Sequence, residues 1–304
     1  MGNRGSLEDL ESSLVESPMF SIILPTYNRG QYLFQALNSV LSQTLTNWEL
    51  LIIDNNSVDN TANVVSRIHD SRVKLYQIDN LGCIAKSRNL GIENSKGSWL
   101  AFLDSDDLWE SDKLEQCKKL INKNVDLIYH DMKVISDEVK RKNLKCRQLK
   151  SPVFKDLLLN GNPIAASSVV VRKEVLITVG GFNQNVEMNS TADYNAWLKI
   201  SKFTESFLHI DRMLGSYRFH NGNISNDQIV EPTMLAMQQF LPCLSTRQKK
   251  KLFSNLTYTQ GYLKFLSGNF KDSRIDLMNS LKSSKSRFKV KTILILTLMM
   301  IKSK

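Results

Sequence analysis

Five short apolar runs recur along the first part of the chain: FSIIL (Phe20 to Leu24), LLII (Leu50 to Ile53), VKLYQI (Val73 to Ile78), WLAFL (Trp99 to Leu103) and VDLIY (Val125 to Tyr129). Runs of this length, rich in Ile, Leu and Val, read as strands buried on both faces, which requires helices to cover both sides of the sheet. The segments between them carry the helical period. From Gln31 to Gln43, Leu33, Phe34, Leu37, Val40 and Leu41 form one apolar stripe. DNTANVVSRIH and AKSRNLGIENS behave alike, and the second is expected to stop near Gly97. Strands alternating with helices at this spacing predict repeated βαβ units, hence an α/β fold with a mostly parallel central sheet flanked by helices.

That fold gives the polar residues a location. PTYNRG follows the first strand, Asp54 closes the second, Asp79-Asn80 follows the third and DSDD follows the fourth. All four lie at carboxyl ends of strands, where open α/β sheets bind ligands. In DSDD, Asp104, Asp106 and Asp107 repel one another. Such a cluster suits a hard divalent cation, Mg²⁺ or Mn²⁺, that keeps coordination positions open for substrate phosphates. The rival reading has Asp104 ending a strand and Asp106 or Asp107 capping a helix over LWESDKLEQCKKL.

After about residue 150 the rhythm becomes irregular. SSVVVRKEVLITVGGF reads as a strand, a short helix and a Gly180-Gly181 turn, TADYNAWLKISKF as a helix with Trp197, Leu198 and Ile200 inward, and RMLGSYRFH as another strand. From Glu231 the chain reads as helical, with two antiparallel helices joined at Gly268-Asn269 in a single copy, so no repeat is assigned. The last apolar run, Thr292 to Ile301, lies between Lys291 and Lys302 and is too short to span a bilayer. It either packs on the domain or lies at a membrane interface.

Composition narrows the partners. Over 304 residues, 42% hydrophobic and 23% charged content fits a soluble globular protein. Cys83, Cys117, Cys146 and Cys243 are far apart, which argues against a zinc site or disulfide scaffold and fits a reducing cytoplasm. The first 19 residues have no apolar core and do not read as a signal peptide, while MGNRGS meets the loose myristoylation pattern as a short chance match would. Net charge is +10, but Leu244 to Lys304 holds 14 Lys and Arg against two acids, so the tail carries +12 and the remainder −2. No nucleic-acid-binding motif accompanies this tail, and the expected partner is an anionic membrane surface, not nucleic acid.

FSIILPTYNRGQYLFQALNSVLSQT, ELLIIDNNSVDNT and NLGCIAKSRNLGIENSKGSWLAFLDSDD, in that order and spacing, closely resemble the family 2 glycosyltransferases, inverting enzymes with the A-type nucleotide-binding fold. GGFNQNVEMNSTADYNAWLKI resembles the family stretch in which an acidic pair precedes a Trp-Leu helix, and YRFHNGNIS its closing Tyr-Arg-x-His segment.

The resemblance implies a nucleotide site, usually for uridine, at Pro25, Thr26, Tyr27, Asn28 and Asp54, with Asn80, Arg88, Asp104 and Ser105 also on the nucleotide-sugar side. Asp54 would accept from the uracil N3–H and Tyr27 would stack on the base. Asp59 is expected to cap the following helix. Arg88 reaches the phosphates or else braces its own helix. DSDD matches the Asp-x-Asp metal motif, with Asp104 toward the ribose, Asp106 on the metal and Asp107 orienting the loop. His220 is implied as a second metal or diphosphate contact, against the plainer reading of a strand-end histidine.

Asp193 is the implied general base, against a rival role as helix cap. The family's preceding acid is Ala192 here, and the lost like charge predicts a lower pKa for Asp193 than in the usual pair. The expected organisation is a flexible leader over 1–18, a catalytic domain over 19–228 and a basic helical region over 229–304. The catalytic domain would have a nucleotide-sugar half to about 130 and an acceptor half from about 131. The expected reaction moves a sugar from a UDP-sugar to a hydroxyl of a glycan acceptor. That acceptor would be linked to polyprenyl diphosphate at the cytoplasmic membrane face, in O-antigen or capsule synthesis. The alternative is a nucleotide-sugar binding or scaffold protein whose catalysis has decayed.

Overall fold

The computed structural model describes residues 17–121, 124–136, 142–220, 229–281 and 288–302. Eight strands form one sheet: β1 (Phe20–Thr26), β2 (Trp48–Asp54), β3 (Val73–Gln77), β4 (Trp99–Phe102), β5 (Leu108–Trp109), β6 (Leu127–Ile135), β7 (Val170–Arg172) and β8 (Phe207–Arg218). Their spatial order is β3-β2-β1-β4-β7-β6-β8-β5. Every residue of β1, β2 and β4 is buried, because successive side chains enter different cores. Phe20, Ile22, Leu24, Leu50 and Ile52 join one hydrophobic cluster. Ile23, Leu51 and Ile53 join the other, across the sheet. Helices α1 (Gly30–Leu41), α2 (Thr61–Ser66) and α3 (Ile84–Asn94) connect these strands. In α1, Leu33, Leu37 and Val40 are buried while Phe34 is exposed.

The α/β architecture with flanking helices is as expected, but the sheet is mixed. β1 runs parallel to β2 and β4, and β2 to β3. The three-residue β7, reached from a 3-10 turn at Ala166–Ser168, then inserts antiparallel between β4 and β6. The VDLIY run therefore does not continue the βαβ series. It leads into β6, which pairs parallel with β8 and shifts register on either side of Asp131. β3 is an edge strand and half-exposed, not buried on both faces. Gly97 does not stop α3, which ends at Asn94. A Cβ there would lie 2.6 Å from the Ser21 amide nitrogen, so the glycine lets the chain press against β1.

Four further helices complete the central part: α4 (Lys113–Lys118), α5 (Val153–Asn160), α6 (Lys173–Thr178) and α7 (Ala192–Phe203). The C-terminal part holds α8 (Val230–Gln238), α9 (Thr246–Leu266), α10 (Phe270–Leu281) and α11 (Lys289–Lys302). Ser245 and Gln248 form a capping box that starts α9. Gly268, at φ +82°, makes the turn between α9 and α10. The two helices cross closely at Gly261, where a Cβ would meet Leu277 at 2.9 Å. Ala236, Met237, Phe240, Leu244 and Leu252 belong to the main core. Tyr258, Leu277, Ile295 and Met299 form a smaller separate cluster. The packing thus runs on past residue 228. No described helix is long and apolar enough to cross a membrane. The expected leader falls almost wholly outside the described residues, as does the end of YRFHNGNIS beyond His220.

Candidate active site

A cleft of about 1080 Å³ opens at the carboxyl ends of β1 and β4. Pockets for one small ligand run to about 1,000 Å³, so this one has room for a donor and the end of an acceptor. Pro25, Thr26, Tyr27, Asn80 and Arg88 line one side, Asp104, Ser105 and Asp106 lie along it, and Asp193 and Tyr194 stand on the helix-α7 side. Val230 and Thr233 of α8 and Leu256 and Thr259 of α9 also line it. Tyr258 and Gly261 of the same helix α9 face α10 and α11 instead.

On the nucleotide side, Thr26 Oγ1 is buried without a hydrogen-bond partner, an atom suited to a ligand. Tyr27 is 56% exposed, so it is not packing its own loop. Asn80 Oδ1 accepts from the Gly82 amide at 2.7 Å and its Nδ2 donates to Ser87 Oγ at 2.9 Å, fixing the side chain at the cleft. Asp54 and Asn28 are not among the lining residues. The Asp54 carboxylate accepts from the Ser57 amide at 3.2 Å. Asn28, at φ +50°, donates its amide to Ser57 Oγ and accepts from the Val58 amide, each at 2.9 Å. These two residues shape the loop that presents Tyr27. Asp59 accepts from the Thr61 amide at 2.9 Å and the Gly30 amide at 3.0 Å, securing the starts of α2 and α1 together.

The acidic loop is held from both sides. Arg88, only 4% exposed, donates to Asp104 Oδ1 at 2.6 Å, and its Nε has no partner. It is a buried cation that lines the cleft and holds Asp104, not a solvated surface group. Asp106 Oδ2 lies 3.0 Å from His220 Nε2 and 4.0 Å from Arg29 Nε. His220 stacks on Tyr32 with ring centroids 5.1 Å apart. Burial, then the Asp104 charge, pushes the Asp106 carboxyl upward against the pull of His220 and Arg29. Asp107 is enclosed and accepts from the Arg218 amide at 3.0 Å. Burial, then Asp106 and Asp104, raises its pKa well above the usual range. Neither aspartate caps a helix, because β5 intervenes and Asp112 occupies the N-cap of α4.

Sequence reasoning missed the residue that holds this loop. Ser167 Oγ accepts from the Asp104 amide at 3.1 Å, while the Ser167 carbonyl accepts from Trp109 Nε1 at 2.8 Å and Lys113 Nζ at 3.0 Å. The fully buried Lys113 ammonium also sits 3.4 Å from the Trp109 ring centroid. Burial pushes its pKa down to about 7. A lysine four residues after a tryptophan in DLWESDK was the available signal. Nothing in AASSVVV marks Ser167.

The donor set of Asp106 and His220, one carboxylate oxygen and one imidazole nitrogen in contact, fits Mn²⁺ or Mg²⁺ with further positions open to phosphate oxygens. Asp131, Cys146 and His209 also cluster, but their bonds to one another and to backbone account for them. Asp131 Oδ1 takes His209 Nε2 at 2.8 Å and the Cys146 amide at 2.9 Å, and Cys146 Sγ donates to the His130 carbonyl at 3.1 Å. With burial pushing the thiol up to about 12, the group reads as a brace at the β6 register shift and not as a metal centre.

Asp193 lies in the first turn of α7, one residue inside its start, with Thr191 at the N-cap. Its Oδ1 accepts from the Tyr194 amide at 2.7 Å. The carboxylate keeps some surface toward the cleft, yet neighbours crowd it. Burial pushes its pKa up to about 6, with Arg88 opposing and Asp104 adding to the rise. The expectation from Ala192 concerned only the usual acidic pair; in this chain loss of hydration is the largest influence on Asp193. Ala192 itself is buried in the core.

The sequence pattern described as Glycosyl transferase family 2 matches residues 21–178, just over half of the chain. The chain belongs to glycosyl transferase family 2. Among relatives of this family-2 chain is the Escherichia coli UDP-Glc:alpha-D-GlcNAc-diphosphoundecaprenol beta-1,3-glucosyltransferase WfgD, 30% identical over 70% of this chain and 82% of that protein. Another is the putative teichuronic acid biosynthesis glycosyltransferase TuaG of Bacillus subtilis, 27% identical over 69% and 83%. Among solved structures, S. aureus TarS in complex with UDP superposes with a TM-score of 0.65 at 18% identity, covering 91% of this chain and 87% of that one. The Pyrobaculum calidifontis mannosyltransferase PcManGT, in complex with GDP-Man and Mn²⁺, gives 0.61 at 16%, covering 94% and 81%. At those identities the structures establish the shared glycosyltransferase A-type fold. Asp193 and His220 lie beyond the stretch matched by the family pattern.

Proposed function

We propose that this family-2 chain is an inverting transferase that moves a sugar from a UDP-sugar to a hydroxyl of a glycan acceptor, carried on polyprenyl diphosphate at the inner membrane face during surface-polysaccharide synthesis. The observation that carries this reading is a single cleft lined by Asp193, with a pKa near 6, together with Thr26, Tyr27, Asp104 and Asp106. A carboxylate with that pKa is ionised at neutral pH and basic enough to take a proton. The activity of WfgD and the UDP bound to TarS support the donor and acceptor classes.

The acceptor hydroxyl gives its proton to Asp193 as its oxygen attacks C1 of the sugar from the side opposite the diphosphate. The C1–O bond to the diphosphate breaks, and its electron pair leaves with the nucleoside diphosphate. Tyr27 and Thr26 hold the base and Asn80 borders the same side. Arg88 keeps Asp104 aimed at the ribose, and Asp54 and Asn28 keep the loop in shape. Asp106 and His220 would hold Mn²⁺ or Mg²⁺, which when bound supplies charge neutralisation to the departing diphosphate.

The test is transfer from a panel of UDP-sugars, with GDP-mannose as a contrast, to a GlcNAc-diphospholipid analogue. Product with inverted anomeric configuration from a UDP-sugar is the expected result. Binding of UDP without transfer to any acceptor in the panel would favour the decayed binding protein.

A further inference from the structure

Helix α11 is apolar nearly all round, yet only part of it is covered. Thr292, Ile295 and Met299 are buried against α9 and α10, and Leu296 is partly so. Val290, Ile293, Leu294 and Leu298 are each at least 50% exposed. At about 100° of turn per residue, these four occupy one continuous arc that also includes Thr297, between Ile293 and Val290. The exposed Lys289 and Lys291 fall immediately outside that arc, one on each edge. A helix in water would be expected to carry polar residues on the face opposite its packing face. Here that face is an aliphatic strip edged by two cations.

We propose that this strip is a membrane-insertion face, seated parallel to an anionic bilayer, with Val290, Ile293, Leu294 and Leu298 entering the acyl boundary and the Lys289 and Lys291 ammonium groups reaching back to lipid phosphates. Three observations select this occupant. The helix has 14 residues, about 21 Å of length, against the roughly 30 Å of hydrocarbon needed to span; it can lie on a bilayer but cannot cross one. Lysines at both margins of an apolar arc are the arrangement that lets long stems cover hydrocarbon while their charges stay in the headgroups. The segment from Leu244 onward carries +12, which complements anionic lipid and would oppose stacking against a second copy of itself. The inference deepens the reading of a lipid-linked acceptor, since it brings the cleft to where such an acceptor resides. It is independent of which sugar is moved.

The test is flotation of the full chain with vesicles of phosphatidylcholine alone or with phosphatidylglycerol at one lipid in three. The wild-type chain should float with the anionic vesicles and much less with the neutral ones. Leu294→Asp and Leu298→Asp should each lower partitioning about tenfold or more, the effect of withdrawing one leucine from hydrocarbon. Lys289→Ala and Lys291→Ala should each lower it about fivefold, on anionic vesicles only. Melting temperature and transfer to a water-soluble acceptor should stay unchanged in all four; Leu294→Ser serves if the aspartate variant does not fold. Equal flotation of the folded leucine variants and wild type would overturn the proposal. So would a wild-type chain that binds no vesicles, or one that is a dimer in solution and becomes monomeric with Leu294→Asp. Failure of sugar transfer with flotation intact would count against the proposed reaction and leave the membrane face standing.

Discussion

Replacing Asp193 with asparagine separates a base from a cap on two axes at once. The folded carboxyl titrates at about 6 against an ordinary 3.8, which corresponds to about 3 kcal/mol. The folded state therefore holds a proton that the unfolded chain has already lost between pH 3.8 and 6. Stability falls as pH rises through that window, and the full penalty stands above pH 6. Asp193→Asn removes an ionised group from this position. The variant should gain up to about 3 kcal/mol above pH 6, less whatever solvent in the cleft already screens. The gain should vanish toward pH 3.8. Turnover should fall by ~10²–10⁴, as for loss of a positioned general base, while UDP affinity holds. In the wild type, kcat/KM should rise through about pH 6 to a plateau, since the ionised form is the active one. Urea unfolding at pH 4 and pH 7.5, UDP titration and initial rates on one preparation provide the check. An Asn variant with normal turnover would remove Asp193 from the chemistry. A variant that lost stability in step with rate would return it to a structural role.

Two further perturbations address the acidic loop. Asp106→Ala should abolish Mn²⁺ binding by calorimetry and metal-dependent transfer together, and full wild-type activity in chelator would refute the metal assignment. Lys113→Met should remove a pH dependence: the folded lysine releases its proton above about pH 7 while the unfolded one keeps it to 10.5, so wild-type stability should climb with pH across that window. The variant should be flat there and more stable at or below pH 7, by at most about 5 kcal/mol; denaturant midpoints at pH 6.5 and pH 9 that rise equally in both proteins would contradict this.

The parts legible in the sequence are those in which neighbouring residues meet the same constraint. β1, β2 and β4 stand out because each must fill two cores, so no polar residue interrupts Ile22 to Leu24 or Leu50 to Ile53. Loop residues at the carboxyl ends of β1, β3 and β4 follow from topology, and Thr26, Asn80, Asp104 and Asp106 do meet in one cleft. What the sequence hid depends on distant partners. The antiparallel insertion of β7 is a pairing choice among three residues. Gly97 looked like a helix stop because its real neighbour, Ser21, is 76 positions away. Ser167 gathers contacts from Asp104, Trp109 and Lys113, all more than 50 positions earlier. Asp54 and Asn28, which the family resemblance assigns to the nucleotide, bond to Ser57 and Val58 and do not line the cleft.

Helix α9 presents Leu256 and Thr259 to the cleft and Tyr258 to the cluster that seats α11. Helix α9 therefore stands between the cleft and the seat of α11. With the exposed side of α11 resting on a bilayer, the enzyme works at a set height. On the proposed reading of a lipid-borne acceptor, its growing end would meet Asp193 only when the glycan has the reach to match. Acceptor choice would then become in part a measurement of length, made by a scaffold that need not recognise each sugar along the way.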